Sequence, residues 1–213
     1  MTKRLTLAVI AASCAASAAV YPKIPEPHFG LDSRLTTPPG KPMIAFLLPA
    51  TAALIYGVFS LLSRRDPMRE RSATFEATYQ GLVFRIVGFI AALHAVVLAS
   101  LVSGRNFASR AVPILLGLAV VAVGDLLPRL RPNVAIGLRT PETVMHRGIW
   151  MRTHRVVGYA TVAIGAVIVL SALFLPPRAG GNVILAAGVS AAIALVWYCR
   201  RIGQRVEDKK RRG

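Results

Sequence analysis

Six stretches of this chain are apolar for about the length that a bilayer core demands, roughly 20 residues at about 1.5 Å of helical rise each. Met43 to Leu62 and Val156 to Leu175 carry no charge at all. Gly81 to Val102 is interrupted only by Arg85 near its start, Ala111 to Leu127 only by Asp125 near its end, and Val183 to Cys199 is short but clean. Leu5 to Val20 follows Lys3 and Arg4 and is the least distinctive of the six. None alternates polar with apolar residues, as a barrel strand must to separate lipid from lumen, so the blocks read as helices. With 54% apolar and 16% charged residues, the chain lies outside the usual balance of a water-soluble domain. The expectation is an all-α, polytopic integral membrane protein with six transmembrane helices. For Leu5 to Val20 the rival reading is a cleaved signal peptide, since small residues precede Tyr21. Lipid attachment at Cys14 is disfavoured, because Ala11 rather than Leu stands three residues before it.

A formal charge of +17 and a pI near 11.4 suit a nucleic-acid binder equally well by composition. Placement separates the two. Six spans put residues 1–4, 63–80, 128–155 and 200–213 on one side, and these with Arg85 hold 20 of the 26 basic residues. The opposite side has Lys23, Arg34, Lys41, Arg105, Arg110 and Arg178. The positive-inside rule then puts both termini in the cytoplasm, and basicity becomes a topology signal without direct nucleic-acid contact. Residues 1–62 form the first two spans around an extracytoplasmic proline-rich segment, 21–42. Residues 63–213 form a four-helix region with a cytoplasmic loop, 128–155, and a basic tail, 200–213. The tail is equally compatible with solvent and with anionic membrane lipids.

Charged groups inside a membrane are costly and invite partners. The third span leaves the cytoplasm and the fourth returns to it, so Arg85 and Asp125 fall at matching depth and are expected to pair. His94 lies about 13 Å deeper than Arg85 by helical rise. It is expected to be a hydrogen-bonded interior histidine, since no other span offers an Asp, Glu, Lys or His at mid-depth for a proton relay.

The loop between spans four and five is too patterned for a spacer. Thr140-Pro141-Glu142 is a helix start, with a capping hydroxyl, a proline suited to the first turn and a carboxylate at the positive dipole end. An interfacial helix is expected to follow and to feed span five, with Met145, Ile149 and Val156 on its apolar side and Trp150 at the headgroup level. Arg129, Arg131, Arg139, Arg147, Arg152 and Arg155 oppose only Glu142, which suits lipid headgroups or an anionic partner. No nucleophile elbow, zinc-binding His pair or phosphate-cradling glycine loop is present in the sequence, so the expectation is no catalysis, no metal and no cofactor. Cys14 and Cys199 fall in or beside apolar blocks and suggest neither a disulfide framework nor a zinc site.

These loop residues resemble the SdpI family of bacterial membrane proteins, named for immunity to a sporulation-delaying toxin. The likeness rests on Arg131-Pro132-Asn133, then Ile136-Gly137-Leu138-Arg139-Thr140-Pro141, Trp150, and Thr153-His154-Arg155 followed by Gly158. A looser likeness lies in Tyr21-Pro22, His28-Phe29 and Lys41, within the proline-rich segment. The chain departs from the family pattern at Glu142, where an aromatic is common, at Arg147 and Gly148, where acidic residues are frequent, and at Asp125, where Asn is usual. The resemblance implies a bacterial cytoplasmic-membrane protein that protects its host from a membrane-active peptide toxin. It further implies one that can hold a cytoplasmic helix-turn-helix repressor at the membrane. On that reading Tyr21, Pro22, His28 and Phe29 face the toxin and the 131–155 loop faces the cytoplasmic partner. The runner-up is a small-solute transporter or channel, for which Pro49, Pro113 and the glycines offer broken or closely packed helices. Oligomeric state is left open.

Overall fold

The computed structural model describes residues 2–24, 40–65, 73–132, 137–138 and 140–212. Seven α-helices follow in chain order: α1 (Thr2–Val20), α2 (Lys41–Arg65), α3 (Ala73–Ser103), α4 (Ala108–Leu126), α5 (Pro141–Met145), α6 (Arg147–Phe174) and α7 (Pro177–Arg212). Short 3-10 turns at Tyr21–Lys23 and Leu127–Arg129 extend α1 and α4. Among the described residues there is no strand, and every helix except α5 is long and apolar enough to cross a membrane. The chain is a multi-pass, all-helical membrane protein.

Each expected block lies within one helix, except that Ala111 to Leu127 ends in the turn that extends α4 and Val156 to Leu175 ends on the residue that caps α6, and the helices otherwise overrun the blocks, because polar residues at their ends do not break a helix. The 36 residues of α7 measure about 54 Å by helical rise, well beyond a hydrocarbon core of about 30 Å. Its last turns, which carry the basic tail, therefore continue a spanning helix. The expected interfacial helix differs more. It is a single short helix, α5, separated from α6 by extended backbone at His146 (φ −125°, ψ 105°).

Helices α1, α2 and α3 pack together. Ala52 of α2 and Tyr79, Val83, Val87 and Ile90 of α3 form a buried cluster, joined by Val9 and Ile10 of α1. At one end of this trio Lys3 Nζ lies 2.6 Å from Glu76 Oε1, and the Tyr79 hydroxyl donates to the Phe59 carbonyl at 3.0 Å. At the other end the chemistry follows from Pro49, which has no N–H to offer the Ala45 carbonyl one turn before it. A bare carbonyl in lipid is strongly disfavoured. Ser17 Oγ of α1 donates to it at 2.5 Å, and His94 Nε2 of α3 lies 3.2 Å from it and 2.9 Å from Ser17 Oγ.

Helices α4 and α6 approach closest. A Cβ placed on Gly117 would come within 2.9 Å of the Gly165 carbonyl, and one on Gly124 within 2.8 Å of the Val162 amide. The same holds in reverse, with Gly165 against the Gly117 carbonyl at 2.7 Å and Gly158 against the Gly124 carbonyl at 2.8 Å. Two glycines seven residues apart on each helix thus let the backbones touch, as small residues do where hydrophobicity cannot drive helices together. Helix α3 joins this pair to α1 and α2, and α7 leans chiefly on α6.

Candidate functional site

The loop between α4 and α6 begins at the Leu127–Arg129 turn, which leads Leu130 into the interior. The Leu130 carbonyl accepts a 2.8 Å hydrogen bond from Trp150 Nε1. Trp150, in the first turn of α6, is 0% exposed. The tryptophan expected at the headgroup level is thus enclosed by protein rather than open to the headgroups. An indole whose N–H finds a buried carbonyl has no need of the interface. The expected apolar side is not carried by one helix, since Met145 ends α5 while Ile149 and Val156 belong to α6, beyond the break at His146.

One turn later the His154 ring stacks on Trp150, with centroids 4.0 Å apart and planes at 18°. The Leu138 amide donates to His154 Nε2 at 3.0 Å, so the ring proton sits on Nδ1, which donates to the Trp150 carbonyl at 2.9 Å. Gly137 precedes this contact with φ +116°, and a Cβ there would strike His154 Nε2 and lie 3.1 Å from Trp150 Cη2. Glycine alone fits both the backbone angle and the space.

The helix start read at Thr140 is present, with a reciprocal partner that the sequence reading missed. Thr140 Oγ1 accepts from the Thr143 amide at 3.3 Å, and Thr143 Oγ1 accepts from the Thr140 amide at 2.8 Å. This is a capping box with Thr where Glu or Gln is usual. Thr143 Oγ1 also stands 2.9 Å from the Leu138 carbonyl and can donate to it. The cap therefore fixes the same residue that His154 holds through its amide. The Thr-x-x-Thr spacing was the available signal.

Of the other expected site residues, Pro141 opens α5, Arg131 and Pro132 are half-buried, and Arg155 is exposed. Thr153 is buried, and its Oγ1 has no hydrogen-bond partner among the described residues. Asn133 and Arg139 lie outside the described residues, as do His28 and Phe29. Pro22 is exposed, while Tyr21 is half-buried with its ring 6.2 Å from that of Phe46 and the Lys41 ammonium 5.1 Å above it.

Arg85 and Asp125 come together, with Arg85 Nη2 3.3 Å from Asp125 Oδ2. Arg129, one turn after Asp125, adds a second cation at 3.3 Å from Oδ1. All three side chains are partly open, so the pair fixes α3 against α4 more than it stabilises the fold. The carboxylate ties α3 to the residue immediately before Leu130, where the loop turns inward. His94 is buried and bonded to Ser17 and Ala45, far from this group.

Comparison with known proteins finds one family, over the stretch that starts at Arg129, takes in the loop, α5 and α6, and ends within α7. Residues 129–199 match the SdpI/YfhL protein family. No curated protein and no solved structure matches. The SdpI resemblance read from the loop is borne out over this third of the chain, which contains Trp150, His154, Gly137 and the Thr140–Thr143 cap. The looser likeness at Tyr21-Pro22 and His28-Phe29 lies before the matched stretch. The chain is a membrane protein whose residues 129–199 are similar to the SdpI/YfhL family.

Proposed function

We propose that this chain is a non-enzymatic immunity protein of the bacterial cytoplasmic membrane, protecting its host from a membrane-active peptide toxin. The 21–42 segment faces the toxin outside, and the 131–155 loop faces the cytoplasm with both termini. There it engages an anionic surface, lipid headgroups or a helix-turn-helix repressor held at the membrane. The observation that carries this reading is the loop itself: its family-matched residues converge on one hydrogen-bonded unit around Trp150 and His154. A connector would have no reason to fix Leu130 and Leu138 to the first turns of one helix and to hold Leu138 again through Thr143. The concentration of basic residues at that end supports its cytoplasmic placement. For signalling, toxin must favour one helix arrangement in which the loop binds its partner better, since only differential affinity shifts an equilibrium.

The test is survival of toxin-sensitive bacteria expressing the chain, challenged with a panel of membrane-permeabilising bacterial peptides. At least a tenfold gain in tolerance to one peptide is expected. That gain should shrink in Gly137→Val, which unseats the loop, at equal membrane abundance. Survival equal to empty-vector cells across the panel would overturn the immunity reading.

A further inference from the structure

The end of the bundle that carries Tyr21–Ile24 holds a device that neither the family match nor the immunity reading assigns. Helix α1 passes from Val20 directly into the Tyr21–Lys23 turn, which closes with a 3.3 Å bond from the Ile24 amide to the Tyr21 carbonyl. Ile24 is 2% exposed and packs with Ala45 of α2 and Leu98 of α3. Ala45 serves twice: its methyl helps to form the seat of Ile24, and its carbonyl is the one that Pro49 leaves without a helix partner. Leu98 likewise lies one helical turn beyond His94.

The tautomer that serves the Ala45 carbonyl best assigns the hydrogen bonds at this point. Ser17 has one proton and gives it to the Ala45 carbonyl, so its oxygen accepts from His94 Nε2–H, which the same carbonyl also faces. Three helices thus meet on one carbonyl. Pro49 withholds the α2 amide that would ordinarily serve this carbonyl, and Ser17 stands less than one turn before the end of α1, from which the turn and Ile24 are hung.

We propose that the Ser17–Ala45–His94 node is a latch that keeps the Tyr21–Ile24 turn seated on α2 and α3, and that the turn opens when the latch is broken. The connector to α2 starts at Ile24, so a contact that pulls on it acts where the latch holds. The latch is independent of any toxin.

Cysteine accessibility tests it in the full chain, with Cys14 and Cys199 replaced by Ser and Ala. The purified protein is held in nanodiscs of phosphatidylethanolamine and phosphatidylglycerol, and the probe is a polar maleimide. Ile24→Cys is expected to label at least tenfold more slowly than exposed Lys23→Cys. Adding Ser17→Ala or His94→Leu should raise the Ile24→Cys rate at least fivefold, and His94→Gln, which retains a donor, should leave it slow. Val87→Cys, in the buried cluster on the other half of α3, reports global opening and should stay slow throughout. Fast labelling of Ile24→Cys without a latch mutation, unchanged slow labelling with one, or equal acceleration at Val87→Cys overturns the proposal. Because no peptide toxin is present, the outcome is separate from that of the survival test.

Discussion

Trp150 and His154 show how differently two residues of one motif can be read. The Thr140-Pro141-Glu142 start was legible because capping is local: a hydroxyl, a ring without an N–H and a carboxylate each act within one turn. The burial of Trp150 was not legible because its partner, the Leu130 carbonyl, is 20 residues away in sequence, and an indole suits a membrane interface as well as a buried acceptor. The bond gives a direct prediction. Trp150→Phe keeps an aromatic side chain beside His154 but removes the indole N–H and strands a buried carbonyl, which should cost about 1–3 kcal/mol. Thermal unfolding in detergent should read this as a lower midpoint; an unchanged midpoint would show that the Leu130 carbonyl has another donor. Asp125 was legible in part, since the depth argument reached Arg85 while the neighbour one turn away, Arg129, went unnoticed.

At the scale of elements, apolar runs locate the helices but say little about which helices touch. All six spans fall where the apolar blocks lie, because lipid leaves the backbone no alternative to satisfying itself within each segment. Pairing is encoded instead in a few small residues, and a glycine reads the same whether it faces a helix or lipid. Gly117, Gly124, Gly158 and Gly165 meet backbone, whereas a methyl group added at Gly57 or Gly88 would find nothing within 4 Å. Gly124→Ala should therefore destabilise the protein by about 1–3 kcal/mol through overpacking, and Gly88→Ala should be close to neutral. Equal midpoints for the two variants would mean that α4 and α6 do not approach to backbone contact. Pro49 carries a similar lesson, because a proline inside a span announces an unpaired carbonyl one turn earlier. Its donors, on α1 and α3, could be named only from the packed bundle.

For the whole molecule, the six-span class was legible from composition and block length, and the charge distribution predicts which side each end faces. Reporter fusions after residues 70 and 145 should be active in the cytoplasm, and fusions after residues 30 and 105 outside it; the reverse pattern would invert the bundle. The loop's construction bears on whatever meets that end. Leu130, Leu138 and the Thr140–Thr143 cap are already fixed to the first turns of α6 before any encounter, so docking there demands little further loss of conformational freedom. Substitutions that loosen this preorganised surface should weaken recognition chiefly by making the surface scarcer, without removing any group that a partner touches.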